Sequence, residues 1–233
     1  VSGSAEEHYR GEAGRLYQQQ KRAVPELAIP WVARLRAAKF QPRIKASDSV
    51  IEFGVGLGWN LAQLQCARRL GTDLENFLPP ALITAGIEFF ANSNQIATET
   101  ANVVICHHVL EHVENPPAML QEARRVLKMG GLLLVNVPYE KEGRYRRFDP
   151  AEPNHHLYSW NVQTLANLVG TQNFEMVECG LGEFGYDRFA AKLALRLHVG
   201  ESGFLLIRRL VHLLRPGREV RMVGRKNEIS GKA

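Results

Sequence analysis

Two nearly uninterrupted apolar runs, residues 101–106 and 132–137, flank an amphipathic stretch, 116–127, that stops at Gly130-Gly131. A strand that is apolar at almost every position has to be covered on both faces, which is the signature of a strand inside a parallel sheet. Two such runs joined by a helical pattern form a strand–helix–strand unit. Upstream, 49–53 reads as a short apolar strand ending in glycines, 60–69 as a helix, 71–74 as a weak strand, 80–86 as a short helix and 87–91 as a strand. The alternation predicts an α/β chain with a parallel sheet and helices on both faces. With 233 residues and 45% hydrophobic side chains, one core suffices.

Outside that region the patterning is of other kinds. Residues 1–22 are polar and glycine-containing and read as a loose arm. Residues 26–40 place Leu27, Trp31, Val32 and Leu35 on one helical face. Residues 160–169 read as a helix and 174–179 as a strand. Two further helices, 190–197 and 204–214, precede a last strand at 220–223. Ordinary packing against the sheet, a lid over an apolar substrate, or contact with a membrane or partner are all open to that helical pair. No repeat or long linker divides the chain. It is read as one domain: an arm and helical cap at 1–45, a core at 46–180, a helical insertion at 181–218 and the final strand at 219–226.

The sharpest local feature is Glu52-Phe53-Gly54-Val55-Gly56-Leu57-Gly58, directly after a strand. Three glycines let a ligand approach the backbone where no Cβ intervenes. A dinucleotide fingerprint would need glycine at position 59, where Trp59 stands, so the turn suits a ligand without a pyrophosphate. Asp73 follows Glu52 by 21 residues, placed to accept from two ribose hydroxyls at the next strand end.

These residues resemble the class I S-adenosylmethionine-dependent methyltransferases, particularly their small-molecule branch. The likeness runs through the glycine turn and Gly71-Thr72-Asp73-Leu74-Glu75, then Cys106-His107-His108-Val109-Leu110-Glu111-His112-Val113 with Pro116. It continues into Arg125-Val126-Leu127-Lys128-Met129-Gly130-Gly131, with Met129 where the family usually has proline, and His155, Leu157, Tyr158 and Ser159. It covers about residues 48–180. The resemblance implies a Rossmann-like, seven-stranded, mostly parallel sheet whose final strand is antiparallel, with the helical insertion before it. It implies S-adenosyl-L-methionine as cofactor, held by Glu52, Gly54, Gly56, Gly58, Asp73 and Leu74, with His107 on the pocket wall. In place of the family's usual acid for adenine, this chain offers Asn94 or Gln95. The implied activity is methyl transfer to an O, N or C atom of a small-molecule acceptor. Methylation of RNA or protein, or cofactor binding without turnover, are the alternatives. Asp73→Ala is expected to weaken cofactor binding and leave the fold mostly intact.

For an acceptor that must lose a proton, His156, His155 and Tyr139 are the candidate catalytic side chains, in a loop at 139–157 that also carries Glu140, Tyr145, Arg146, Arg147 and Asp149. His108-Val109-Leu110-Glu111-His112 matches an inverted zinc-protease pattern, in which a helix would set both histidines on one face. The same string belongs to the methyltransferase likeness, and no metal is expected. Cys66, Cys106 and Cys179 lie far apart and supply neither a disulfide framework nor a zinc pattern. With no run of 18 apolar residues and no leader-like start, a cytoplasmic protein is expected.

Charge is unevenly spread: residues 188–233 hold eleven Lys or Arg against three Glu. Such an end suits an anionic acceptor or a peripheral contact with an acidic membrane, or is a solvated face. No nucleic-acid module is recognisable, so no nucleic-acid partner is expected, while a homodimer is open.

Overall fold

The computed structural model describes residues 9–21, 23–84, 86–139, 147–148 and 154–227. Its centre is one seven-stranded sheet. The strands are β1 (Ser49–Phe53), β2 (Arg68–Thr72), β3 (Ile87–Phe90), β4 (Ala101–His107), β5 (Leu127–Pro138), β6 (Phe174–Glu183) and β7 (Arg218–Lys226). They lie in the order β3-β2-β1-β4-β5-β7-β6. β1, β2, β3, β4 and β5 pair in parallel, while β7 runs antiparallel to both β5 and β6. The expected Rossmann-like sheet with an antiparallel final strand is what forms. Strand order reverses between β1 and β4, so a crevice opens at their carboxyl ends.

Alternation along β4 splits the core into two layers. Val104 and Cys106 face the cluster that includes Leu120 of α4 (Pro116–Val126) and Leu165 of α5 (Val162–Thr171). Val103 and Ile105 face the other side, with Phe40 of α2 (Ile29–Phe40), Leu61 and Leu64, and Leu82 of α3 (Pro80–Thr84) packs against them. α4 starts on an Asn115 cap followed by Pro116, and α5 starts on an Asn161–Thr164 capping box.

Three expectations are corrected. Residues 60–69 form turns instead of a helix, and β2 begins at Arg68, not at 71. Once the glycine turn is made, nine residues (59–67) remain between β1 and β2. As a helix they would span only about 13 Å, against roughly 16 Å for the five-residue strand they must run back along. The more extended path still buries Leu61 and Leu64 completely. The polar arm contains a helix, α1 (Gly11–Lys21), docked by tertiary contacts: Gly11 N–H donates to the Glu75 carboxylate and Tyr9 hydroxyl donates to Asn154 O at 2.6 Å.

The insertion helices are α6 (Asp187–Arg196) and α7 (Gly200–Leu214), and β6 runs on to Glu183 before they begin. Among the described residues, their apolar cluster contains no strand residue. Ala190, Ala191, Ala194 and Phe204 pack on Ala28, on Val32 and Ala33 of α2, and on Trp59. The outer face of α7 leaves Leu213 and Leu214 73% and 89% exposed. Among the described residues, no helix is long and apolar enough to cross a membrane.

Candidate active site

The chain leaves β1 with Gly54, Gly56 and Gly58 all at positive φ (73°, 49° and 72°). Only glycine adopts that succession without strain. Space demands it as well: a Cβ at Gly54 would lie 2.8 Å from Val109 Cγ2, and one at Gly58 2.7 Å from Leu78 Cδ2. Backbone amides of Gly54 and Val55 donate to Thr72 O at 2.8 and 3.0 Å, which fastens the turn to the end of β2. Gly56 N–H then donates to Asp73 Oδ2, and Leu74 N–H to Asp73 Oδ1, both at 2.8 Å. The turn and the acid expected to share one ligand therefore meet. Asp73 is also a brace of the turn, so its loss is expected to cost stability as well as cofactor contacts.

Glu52 is completely buried on β1, and Asn60 Nδ2 donates to its Oε1. Glu75 is taken by the start of α1. Asn94 and Gln95 sit in a short 3-10 turn (Ser93–Gln95) after β3 with both side chains exposed. Asn92 caps that turn through Asn94 N–H at 2.9 Å. Arg125, the arginine of the glycine-pair motif, holds the same loop by donating to Ser93 O and Ile96 O, each at 2.9 Å.

Past β4 the chain turns instead of forming a helix; His108 has φ 54°. The helical premise of the zinc-protease pattern therefore fails, and His108 and His112 join separate clusters. In the first, Glu219 of β7 is fully buried and receives Lys39 Nζ at 2.8 Å, Asn136 Nδ2 at 2.8 Å, Arg221 Nε at 2.8 Å and His108 Nε2 at 3.0 Å. Lys39 Nζ also lies 3.1 Å from His107 Nε2. His107 thus faces this network. Burial lowers Lys39 to about 8 and His108 to about 4, and holds His107 well below its ordinary value, so both imidazoles are neutral near pH 7. Hydrogen bonding from His108 and the charge of Lys39 outweigh burial at Glu219 and hold its carboxyl far below the usual range. His107, His108 and Glu219 have metal-ligand spacing, but the Lys39 ammonium sits where a cation would.

In the second cluster, the Tyr9 hydroxyl is 2.8 Å from His112 Nδ1, and the His112 and His156 rings are 4.8 Å apart. The buried Glu111 brings its carboxylate to the same place. Leu157 N–H donates to Glu111 O at 2.8 Å, so two stretches of the family likeness are stitched together. His156 therefore lies in a polar cluster, and His155 beside it holds φ 46°. Tyr139 is placed differently: half-buried, bridged to Trp160 and packed on the main core. Glu140, Tyr145, Arg146 and Asp149 lie outside the described residues. Cys106 is fully buried, and burial pushes its thiol up, consistent with packing alone.

Lys39, Glu219, Asn60 and Tyr9 were not singled out from the sequence. A charge beside an apolar strand, as at Glu219-Val220, is the one signal available. Its partner on α2 is 180 residues away and follows no spacing rule.

A protein-family profile described as a methyltransferase domain matches residues 20–179. A Mycobacterium tuberculosis protein whose name describes S-adenosylmethionine-dependent methyl transfer is 27% identical over 173 residues, 69% of this chain and 62% of that relative. The chain thus spans less than two thirds of the length of that curated relative. Among solved structures, a Haemonchus contortus phosphoethanolamine N-methyltransferase has a TM-score of 0.63 at 14% identity, covering 98% of this chain and 61% of that one. The cyclase SpnF has a TM-score of 0.58 at 16% identity, covering 88% and 83%. These likenesses show a shared fold, and a fold that carries a cyclase as well as methyltransferases does not set the reaction. The profile match, over more than half of the chain, establishes that this chain belongs to the methyltransferase-domain family.

Proposed function

We propose that the chain binds S-adenosylmethionine in the crevice between the ends of β1 and β4 and transfers its methyl group to a small-molecule acceptor. The observation that carries this reading is the 2.8 Å bond from Gly56 N–H to Asp73 Oδ2, which joins a Cβ-free cradle to a ribose-type acceptor. The residues fit the group. The positive-φ turn at Gly54, Gly56 and Gly58 brings backbone to the crevice beside Asp73, whose carboxylate would accept from the ribose, with Leu74 following it along the rim. Glu52 supplies a buried carboxylate for the cationic amino end, with Asn60 holding one oxygen. Asn94 or Gln95 faces the base from a loop pinned by Arg125.

When bound, S-adenosylmethionine supplies a methyl group already activated on sulfur. The chain's task is alignment and exclusion of water. A nitrogen nucleophile needs only placement. A hydroxyl or acidic carbon also needs a proton acceptor, and His156 serves, beside the Tyr9–His112 pair. His107, neutral and tied to Lys39, forms a polar wall.

The test is to incubate the purified chain with a metabolite extract and isotopically methyl-labelled donor, and to look for labelled product by mass spectrometry. Labelled small molecules with matching S-adenosylhomocysteine release are expected. Label confined to RNase-sensitive or protein material, or no release despite cofactor binding, would overturn the small-molecule reading.

A further inference from the structure

Beside the Glu219 network, a cleft of about 340 Å³ opens between α2, the end of β6 and the α6–α7 pair. Its size is at the lower end of that of small-molecule pockets. Four of its lining side chains are cations: Arg36, Lys39, Arg208 and Arg221. Three carboxylates answer them. Lys39 and Arg221 share Glu219 at 2.8 Å each, and Arg208 holds Asp187 at 2.9 Å. Glu183 stands 70% exposed at the rim, 3.9 Å from Arg208.

Arg36 is the exception. Arg36 is a half-buried residue whose guanidinium lies over the Trp59 ring at 5.2 Å, and among the described residues its N–H groups meet no hydrogen-bond acceptor. Desolvation lowers its pKa, with the charges of Asp187, Glu52 and Glu219 acting the other way. A guanidinium carries five donors in a fixed fork, and those of Arg36 line the cleft without a carboxylate of their own. A planar or tetrahedral oxyanion matches that fork with two parallel bonds. Phe184 adds an aromatic wall, with its ring 4.2 Å from that of His108.

The cleft also adjoins the crevice described above. Trp59 directly follows Gly58 of the glycine turn, and Lys39 reaches His107 at the carboxyl end of β4. A molecule anchored here by one end would direct its other end toward the junction of β1 and β4.

We propose that this cleft binds the carboxylate or phosphate group of the methyl acceptor, with Arg36 as the bidentate donor. The word acceptor rests on the methyl-transfer reading; binding of an oxyanion does not. The test is a ligand-detected NMR titration of the purified chain with benzoate, phenyl phosphate and the neutral benzyl alcohol, without cofactor. S-adenosylhomocysteine affinity is measured in parallel by calorimetry. At least one anion is expected to bind about tenfold or more tighter than the alcohol, and which anion is preferred separates carboxylate from phosphate. Arg36→Gln should abolish the difference. Arg34→Gln, which removes a like charge from α2, where Arg34 makes an exposed pair with Glu201 of α7, should leave it in place. Equal binding of anions and alcohol by the unmodified chain would overturn the proposal whether or not the Arg36 variant folds. So would an anion preference surviving in a folded Arg36→Gln protein. Loss of S-adenosylhomocysteine binding with the anion preference intact would instead count against the cofactor reading alone.

Discussion

Replacing Asp73 with alanine separates two tasks that the structure assigns to one carboxylate. The first is bracing: two backbone N–H groups, those of Gly56 and Leu74, donate to it at 2.8 Å each. Hydrogen bonds to charged groups contribute about 1.5–3 kcal/mol apiece, and Asp73 is half-buried with water close by, so the lower end applies. The variant should lose about 3 kcal/mol, or roughly 6–12 °C in Tm for a chain of this size. The second task is ribose binding, where loss of two accepted hydroxyl bonds of similar strength amounts to about a hundredfold in affinity. Urea unfolding measures the first, and calorimetric titration with S-adenosylhomocysteine, well below both melting points, measures the second. A destabilised variant with parental cofactor affinity would show that Asp73 is a brace only and that the crevice reading is wrong. A variant as stable as the parent would refute the hydrogen-bond argument.

Two further outcomes follow from the buried network. Glu219→Ala leaves the Lys39 ammonium without its carboxylate, and urea unfolding should show a loss of about 3–5 kcal/mol; the double variant Lys39→Met with Glu219→Leu should lose less, and equal losses would contradict the pairing. Stability should also fall as pH drops from about 6.5 toward 4, because the unfolded chain protonates His108 near 6.5 whereas the folded one resists until about 4. That shift alone is worth about 3 kcal/mol. The depressed pKa values of His107 and Glu219 act in the same direction, Glu219 below about 4.5. A flat stability profile between pH 6.5 and 4 would contradict it.

The strands, their order of appearance and the glycine turn were legible in the residues because each rests on neighbours in the chain. The apolar run at 101–106 had to be buried on both faces, and a turn of three glycines after a strand permits little else. Asp73 was legible for the same reason, as the end of the next strand always lies beside the first in such a sheet. The helix expected at 60–69 was not there, because its periodicity is satisfied by burying Leu61 and Leu64 in turns. Only the distance between β1 and β2 shows that a helix is too short. The arm likewise hid α1, whose stability comes from Glu75, Asn154 and His112, all distant in sequence.

The polar centre of the molecule belongs to tertiary structure. Glu219 gathers Lys39, His108, Asn136 and Arg221 from four separate elements, and sequence spacing carries no trace of such a meeting. Composition announced a basic carboxyl-terminal part. Which cation keeps its donors for something else is a matter of three-dimensional neighbours: Arg208 and Arg221 find carboxylates, and Arg36, from the other end of the chain, finds an indole ring. Periodicity encodes which face of an element is buried, since that depends on the element alone. Pairing of charges depends on where the elements come to rest, and the packed fold is what sets it.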